Sequence, residues 1–125
     1  NVPVIPGLLL VRFAGELEYA ASRAQWRRET LAVAVDGHAW RFLRRADATQ
    51  WRPILDDDVL AARTLPPPLT IRAAQYAGQP VDPGTVIPLH ASGRNQPFSF
   101  VISDAQQQLS VAADPLNRVA VARVP

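Results

Sequence analysis

Residues 10–42 read LVRFAGELEYAASRAQWRRETLAVAVDGHAWRF, and this stretch decides the fold because the spacing of its apolar residues changes once, near Thr30. Before Thr30, apolar residues such as Phe13 and Leu17 recur at steps of three and four, as on one face of an amphipathic helix. After Thr30 they alternate, as in a half-buried strand. The pattern predicts one helix over residues 7–29, followed directly by strands.

A tight hairpin is predicted immediately after the helix. Asp36-Gly37 is a pair that supplies the positive φ angles of a two-residue type I′ turn. With that loop, β-branched and aromatic side chains form a ladder on one side of the two strands. The cross-strand pairs that this turn predicts are Val35 with His38, Val33 with Trp40, and Leu31 with Phe42.

The rest of the chain is typical of short strands separated by turns rich in proline and glycine. Residues 51–55 are predicted as a strand, and Pro53 is expected either at a sheet edge or at a position that donates no ladder hydrogen bond. Asp56-Asp57-Asp58 is predicted to cap a short helical turn, and residues 75–84 to form an exposed loop. The other expected strands cover residues 69–73, 85–90, 98–103, 109–113 and 118–124.

These elements predict an α+β fold in which an N-terminal amphipathic helix packs on antiparallel strands that form two small sheets with a shared core. At 125 residues the chain is long enough for one core and short for two. We therefore expect residues 1–125 to form a single domain, with residues 30–125 as its β-rich head. The proline-rich residues 1–6 are expected to be an extended lead-in.

Composition excludes several classes of site. There is no cysteine, so disulfides, zinc-thiolate centres and thiol catalysis are excluded. The formal net charge is +2, and all 13 basic residues are arginines scattered along the chain, which makes a nucleic-acid partner unlikely. No stretch reaches the ~18 apolar residues that a membrane span needs, so any anchor is expected before Asn1. The chain also lacks methionine, and its start is expected to be a processed or truncated end.

No catalytic, cofactor or metal site is predicted. His90, Ser92 and Asp104 are the one local set of triad residue types, but Ser92 lies in a turn-forming Ser-Gly pair without a nucleophile-elbow pattern. The run Asp56-Asp57-Asp58 lacks the spacing of a calcium loop, and salt bridges to Arg44, Arg45 or Arg63 explain it better. The tryptophans are interpreted as core residues rather than as a stacking platform.

The order of these features resembles the H-class minor pseudopilins of bacterial type II secretion, a family shared with fimbrial minor pilins. The likeness covers most of the chain after Gly7 and rests on the order of the motifs. These motifs are the helix residues Ala20, Ala21, Arg23 and Ala24, then Leu31 to Val35, Asp36-Gly37, Trp40-Arg41-Phe42, Trp51, Asp56-Asp57-Asp58, Leu60, Leu65-Pro66 and Pro97-Phe98-Ser99-Phe100.

This resemblance implies a non-enzymatic subunit of the pseudopilus, with a periplasmic head and an inner-membrane anchor whose leader is cleaved and whose new N-terminus is methylated. It also implies that the protein links other minor pseudopilins to the major pseudopilin during export. The helix and the resemblance together predict the partner-binding residues, which are Leu8, Leu9, Arg12 and Glu16. In this prediction they face neighbouring subunits, and Phe13 and Leu17 face the protein's own sheet.

Two other functions remain open from the sequence. One is a fimbrial minor pilin that binds DNA, which clustering of arginines on one surface would favour. The other is a small β-domain that binds a lipid or glycan, which an open pocket lined by tryptophan would favour.

Overall fold

The computed structural model describes residues 6–104 and 106–124, so the predicted extended lead-in lies almost wholly outside the described residues. Helix α1 runs over Pro6–Arg27, as the apolar spacing predicts. It ends with Arg28 in the left-handed region at φ 55°. The amide of Arg28 donates to the carbonyl of Gln25 at 3.2 Å, and that of Glu29 to the carbonyl of Ala24 at 3.0 Å. This pair of hydrogen bonds is a Schellman motif, which stops the helix and turns the chain into the first strand.

The strands of the described residues form two five-stranded antiparallel sheets. In chain order the strands are β1 Leu31–Asp36, β2 Ala39–Arg45, β3 Trp51–Pro53, β4 Arg63–Thr64, β5 Thr70–Tyr76, β6 Gln79–Pro80, β7 Ile87–Leu89, β8 Phe98–Ser103, β9 Gln108–Ala113 and β10 Val119–Arg123. The first sheet has the order β3-β2-β1-β7, with β4 pairing to β2 as well, and the second has the order β10-β9-β8-β5-β6. The α+β prediction with two sheets is confirmed.

The first hairpin forms, but the predicted cross-strand pairs are wrong by two residues. Asp36 pairs with Ala39 inside the ladder, so the loop consists of Gly37 and His38 instead of Asp36 and Gly37. Gly37 has a positive φ of 57° but His38 does not, so the loop is not the predicted type I′ turn, which requires a positive φ at both positions. The observed pairs are Val35 with Trp40, Val33 with Phe42, and Leu31 with Arg44. Because the shift is an even number of residues, the apolar side chains keep the predicted face.

The segment 75–84, predicted as an exposed loop, contains a second hairpin. Strand β5 continues to Tyr76, and β6 returns along it with Tyr76 paired to Gln79. Ala77 and Gly78 form the loop with φ values of 54° and 78°, as in a type I′ turn. This turn was not predicted because alanine, which stands at the first loop position, rarely adopts a positive φ. The remainder of the segment, after Pro80, lacks strand structure.

The main core lies between the inner face of α1 and both sheets. Phe13 is at its centre, with its ring centroid 4.5 Å from that of Trp40 in the first sheet and 5.6 Å from that of Phe100 in the second. Leu17 is also buried, as predicted. Ala32, Ala34 and Leu43 form a smaller cluster on the other face of the first sheet, covered by Trp51 and Val86. None of the helices among the described residues has the length and apolar character needed to cross a membrane.

Candidate docking surface on the helix

The outer face of α1 is exposed and contains apolar and small residues. Leu8, Val11 and Trp26 have 65%, 60% and 60% of their surface exposed, and Gly15 and Ser22 are exposed between them. At 100° per residue these five positions lie on the side of the helix opposite the buried stripe. We call this set of residues the outer helix face. An exposed Trp26 also corrects its interpretation as a core residue, which holds for Trp40 alone, since Trp51 is half-buried.

The predicted partner-binding residues have three different environments. Leu8 and the side chain of Arg12 are exposed, so both are accessible to another protein. Leu9 is half-buried and packs against the main core. Glu16 is buried, with 4% of its surface exposed, which corrects its assignment as an accessible docking charge. The reason is its position on the helix, at the border between the core stripe and the outer helix face.

Glu16 accepts hydrogen bonds from three different elements. Its Oε1 accepts from the indole nitrogen of Trp40 at 2.8 Å. Its Oε2 accepts from Nε of Arg63 at 3.1 Å and from Nε of Arg12 at 3.3 Å. A buried carboxylate needs such partners because the transfer of an unpaired charge out of water is costly. Glu16 therefore connects the helix to β2 and β4 instead of facing a neighbour.

A second buried cluster fixes the aspartate run to the last part of the helix. Arg23 has 1% of its surface exposed, and its guanidinium lies 3.0 Å from Asp57, 3.3 Å from Glu29 and 3.8 Å from Asp56. Tyr19 donates its hydroxyl to the same oxygen of Asp57 at 2.8 Å. The predicted ion-pair partners of this run, Arg44, Arg45 or Arg63, are therefore wrong, since the carboxylates pair with an arginine of the helix.

Asp57 also caps the short 3₁₀ turn Asp58–Leu60, as predicted, because its other carboxylate oxygen accepts from the amide of Val59 at 3.1 Å. Burial pushes the pKa of Asp57 upward, but the hydrogen bonds from Tyr19, Val59 and Arg23 and the charge of Arg23 outweigh it, so the pKa lies below its usual value. The hydrogen bond to Asp57, together with burial, raises the pKa of Tyr19. Asp57 thus stays ionised at neutral pH.

The hydrogen bonds of Glu16 and Arg23 hold another part of the chain beside the outer helix face. The 3₁₀ turn and Arg63 stand beside the helix, and a shallow open groove runs between them with Arg12 and Gly15 on one side and Val59 and Arg63 on the other. A Cβ atom placed on Gly15 would meet no atom within 4 Å, so this position leaves room on the helix surface. Val59 is 42% exposed at the opposite wall. The groove exposes Gly15 and Val59, and the charged side chains of Arg12 and Arg63 lie at its borders.

The strand edges are less suited to docking. Three of the edge strands, β3, β6 and β7, contain Pro53, Pro80 and Pro88, and proline lacks the amide that a pairing strand would use. A fourth, β4, has only two residues. Strand β10 has no proline, but the amide of Val119 already donates to Glu18 of the helix at 2.9 Å. Pro53 on an edge strand agrees with the sequence prediction.

The triad residue types are held in separate turns. Ser92 accepts from the amide of Arg94 in the turn before β8, next to His90. Asp104 accepts from the amides of Gln106 and Gln107 after the end of β8. Six strand residues span about 20 Å, so Asp104 cannot reach the other two. Within residues 6–104 and 106–124, no group of three or more acidic or histidine side chains is arranged to hold a metal ion.

One helix packs on two antiparallel sheets, and its outer face is exposed. Glu16 and Arg23 of this helix pair with residues of other elements. This arrangement is that of a pilin-like structural subunit. Solved structures of minor pseudopilins share this fold. Two structures of EpsH from the type II secretion system of Vibrio cholerae superpose with TM-scores of 0.76 and 0.78 at 16% and 18% identity. They cover 92% and 94% of this chain and 93% and 94% of their own. E. coli GspH superposes with a TM-score of 0.63 at 23% identity, covering 91% of this chain and 84% of its own.

The sequence profile of the family described as Type II transport protein GspH matches residues 11–116, which is most of the chain. The chain belongs to this family, the H-class minor pseudopilins of type II secretion. The resemblance derived from the order of motifs is therefore confirmed. No protein with a curated description matches the chain significantly.

Proposed function

We propose that this pseudopilus subunit links the complex of other minor pseudopilins to the major pseudopilin during protein export. In this proposal the head lies in the periplasm, and a segment before Asn1 anchors it in the inner membrane. The role is structural and needs no catalytic residue. The family supports a place in the type II secretion pseudopilus, and the outer helix face supports a role in docking.

The observation that carries the proposal is the contrast between the two sides of α1. On the inner side, Leu10, Phe13 and Leu17 are each no more than 1% exposed. On the outer side, Leu8 and Trp26 are more than half exposed. Exposed apolar residues on one helix face, with small residues between them, allow a second helix to approach closely. We propose Leu8 and Arg12 as direct contacts and assign Leu9 and Glu16 a supporting role.

Site-specific crosslinking tests this proposal in the secreting cell. A photoreactive phenylalanine analogue replaces Leu8, Trp26 or, as a control, Ala112, which is exposed on the outer side of the second sheet. We expect Leu8 and Trp26 to capture the major pseudopilin and another minor pseudopilin, and Ala112 to capture neither. If the helix positions capture no pseudopilin while secretion proceeds normally, the helix is not the docking surface.

Removal of one charge provides a second test that separates docking from folding. Arg12→Gln removes an exposed charge but keeps an N–H donor for the buried Glu16, so it should weaken assembly while changing the free energy of unfolding by at most ~1 kcal/mol. Arg118→Gln, at another exposed arginine with an i, i+4 ion pair, is the control. If both variants secrete equally well, Arg12 makes no contact that matters.

A further inference from the structure

The segment between β3 and β4 exposes the most accessible large apolar side chain of the described residues. Leu55 has 90% of its surface exposed, against 65% for Leu8, which is the next highest. We call residues 55–59, with the sequence Leu-Asp-Asp-Asp-Val, the aspartate loop. Val59, at its other end, is 42% exposed. A leucine exposed on its own is common at protein surfaces, so the significance of Leu55 depends on how the chain holds it.

The aspartate loop is fixed at both ends and in its middle. The two residues that border it, Ile54 and Leu60, are 5% and 1% exposed. In its middle, Asp57 lies 3.0 Å from the guanidinium of Arg23 on the helix. Leu55 is therefore held in solvent by a segment that is ordered before any partner binds. Such order lowers the conformational entropy that is lost on association.

The loop also carries carboxylates that the cations close to them do not neutralise. Arg23 lies within 4 Å of three carboxylates, including that of Asp56 at 3.8 Å, so one guanidinium is shared among three anions. Asp58 takes part in none of the ion pairs of the described residues. Both Asp56 and Asp58 are exposed. Leu55 is thus followed by exposed negative charge on a chain whose formal net charge is +2.

A metal ion does not fit this set of carboxylates. Both carboxylate oxygens of Asp57 already accept hydrogen bonds, one from two side chains of the helix and the other from the amide of Val59. Calcium takes about six to eight oxygen ligands, and no three acidic or histidine side chains of the described residues are grouped to hold a metal ion. The carboxylates of Asp56 and Asp58 are therefore available to cations of another protein.

We infer that the aspartate loop docks a neighbouring subunit of the pseudopilus. Leu55 enters an apolar pocket of that subunit, and Asp56 and Asp58 pair with arginine or lysine side chains at the rim of the pocket. An apolar centre with a polar rim is the usual composition of a protein interface, and charges at the rim select the partner and its orientation. The loop adjoins the outer helix face, since Asp57 is hydrogen-bonded to Arg23. This docking rests on the proposed function and adds the chemistry of the partner surface to it.

Two other occupants fit the loop less well than a basic-rimmed pocket. Two copies of this chain that met through the loop would bring like charges together, which costs free energy. The anionic headgroups of a membrane would repel Asp56 and Asp58 for the same reason. A second copy and a lipid surface are therefore outcomes that the test has to separate.

Cross-linking from the loop tests this contact in the secreting cell. A photoreactive phenylalanine analogue replaces Leu55 or, as the matched control, Leu116, which is 51% exposed in the turn between β9 and β10. We expect Leu55 to capture another pseudopilin, identified by mass spectrometry, and Leu116 to capture none. Capture of a second copy of this chain alone, or capture of lipid or of no pseudopilin at Leu55, would overturn the inference.

The same experiment separates this inference from the proposed function. If Leu8 and Trp26 capture a pseudopilin and Leu55 does not, the helix is a docking surface and the loop is not. If none of the three positions captures a pseudopilin while secretion proceeds normally, both proposals fail.

Neutralisation of the two exposed aspartates tests the charged rim. Asp56→Asn with Asp58→Asn should lower the yield of the Leu55 cross-link at least about threefold, because it removes two attractive pairs. Asp36→Asn with Asp82→Asn is the matched control, since it changes the net charge equally at exposed aspartates outside the loop. Equal losses in the two double variants would show that only net charge matters, and the inference would be wrong.

Leu55→Ser separates docking from folding. Because Leu55 is 90% exposed, the variant should keep its melting temperature within about 2 °C of the wild type. Secretion should fall, since burial of one leucine side chain is equivalent to roughly ten- to a hundredfold in affinity. Leu116→Ser should change neither quantity. A larger fall in melting temperature would show that Leu55 serves its own fold, and unchanged secretion would show that it contacts no partner.

Discussion

Arg23 on the helix and the Arg44–Arg52 pair on the strands place the same side chain in opposite settings. Arg23 is 1% exposed and lies within 4 Å of three carboxylates. Arg44 and Arg52 are exposed and face each other. A buried charge needs an opposite charge or hydrogen bonds close to it, whereas an exposed charge is stabilised by water. The interior arginine therefore fixes the fold, whereas the charges of the two surface arginines are stabilised by water.

The largest expected effect comes from breaking the interior cluster. Arg23→Leu leaves Asp57 and Glu29 near the helix without their cation, so it should lower the free energy of unfolding by ~3–5 kcal/mol. Urea denaturation followed by circular dichroism measures the change. Arg27→Leu, at an exposed position one turn later, is the control and should cost less than ~1 kcal/mol. Equal effects of the two variants would remove the distinction between interior and surface arginines.

A smaller loss is expected at Glu16, where the buried charge is negative. Glu16→Leu leaves the indole N–H of Trp40 without its acceptor, which should cost ~1–3 kcal/mol. Glu16→Gln keeps an acceptor oxygen and should recover part of that loss. Thermal melts of both variants, compared with Arg12→Leu, give the measurement. If Arg12→Leu destabilises as much as Glu16→Leu, the cluster depends on its exposed member and the buried carboxylate is not its centre.

Acid should weaken the interior cluster. The pKa of Asp57 is lower in the folded state than its ordinary value near ~3.9, so the unfolded chain binds the proton more readily. Its contribution to stability is therefore present above about pH 4 and is lost as the pH falls through the folded pKa. The measurement is the free energy of unfolding of the wild type minus that of Asp57→Asn, between pH 3 and 7. A difference that stays constant over this range would show that the charge of Asp57 does not stabilise the fold.

Local patterns predicted those parts of the fold that depend on neighbours in the sequence. The spacing around Phe13 and Leu17 placed the helix within two residues of its observed end, and the change of period at Thr30 placed the first strand. The hairpin register was wrong because Asp-Gly was taken as the loop itself, whereas Asp36 belongs to the ladder. The predicted face of each side chain was still correct, since a shift of two residues keeps every side chain on its face.

The ion-pair clusters could not be predicted in the same way, because their partners lie far apart in the chain. Arg23 and Asp57 are separated by 34 residues, and nothing local favours Arg23 over Arg44, Arg45 or Arg63 as the partner. A signal did exist on the helix. Glu16 and Arg23 both border the buried stripe, at positions where a charged side chain needs a partner from another element. If the position of Glu16 on the helix had been used to predict its burial, Glu16 would not have been assigned as an accessible docking residue.

The smallest expected effect concerns Arg28, whose setting is defined by the backbone instead of by charge. It has a φ of 55° at the end of α1, a conformation that brings the Cβ atom of an L-residue close to the following carbonyl oxygen. Glycine has no Cβ and is the usual residue at this position of a Schellman motif. Arg28→Gly should therefore raise the free energy of unfolding by ~0.5–1 kcal/mol. Arg27→Gly, one residue earlier and still helical, should lower it by ~1 kcal/mol. Urea denaturation of the two variants gives the comparison. If Arg28→Gly destabilises the fold instead, the Arg28 side chain makes a contribution larger than the strain of its backbone, and exposed arginines of this protein cannot be assumed to be neutral for folding.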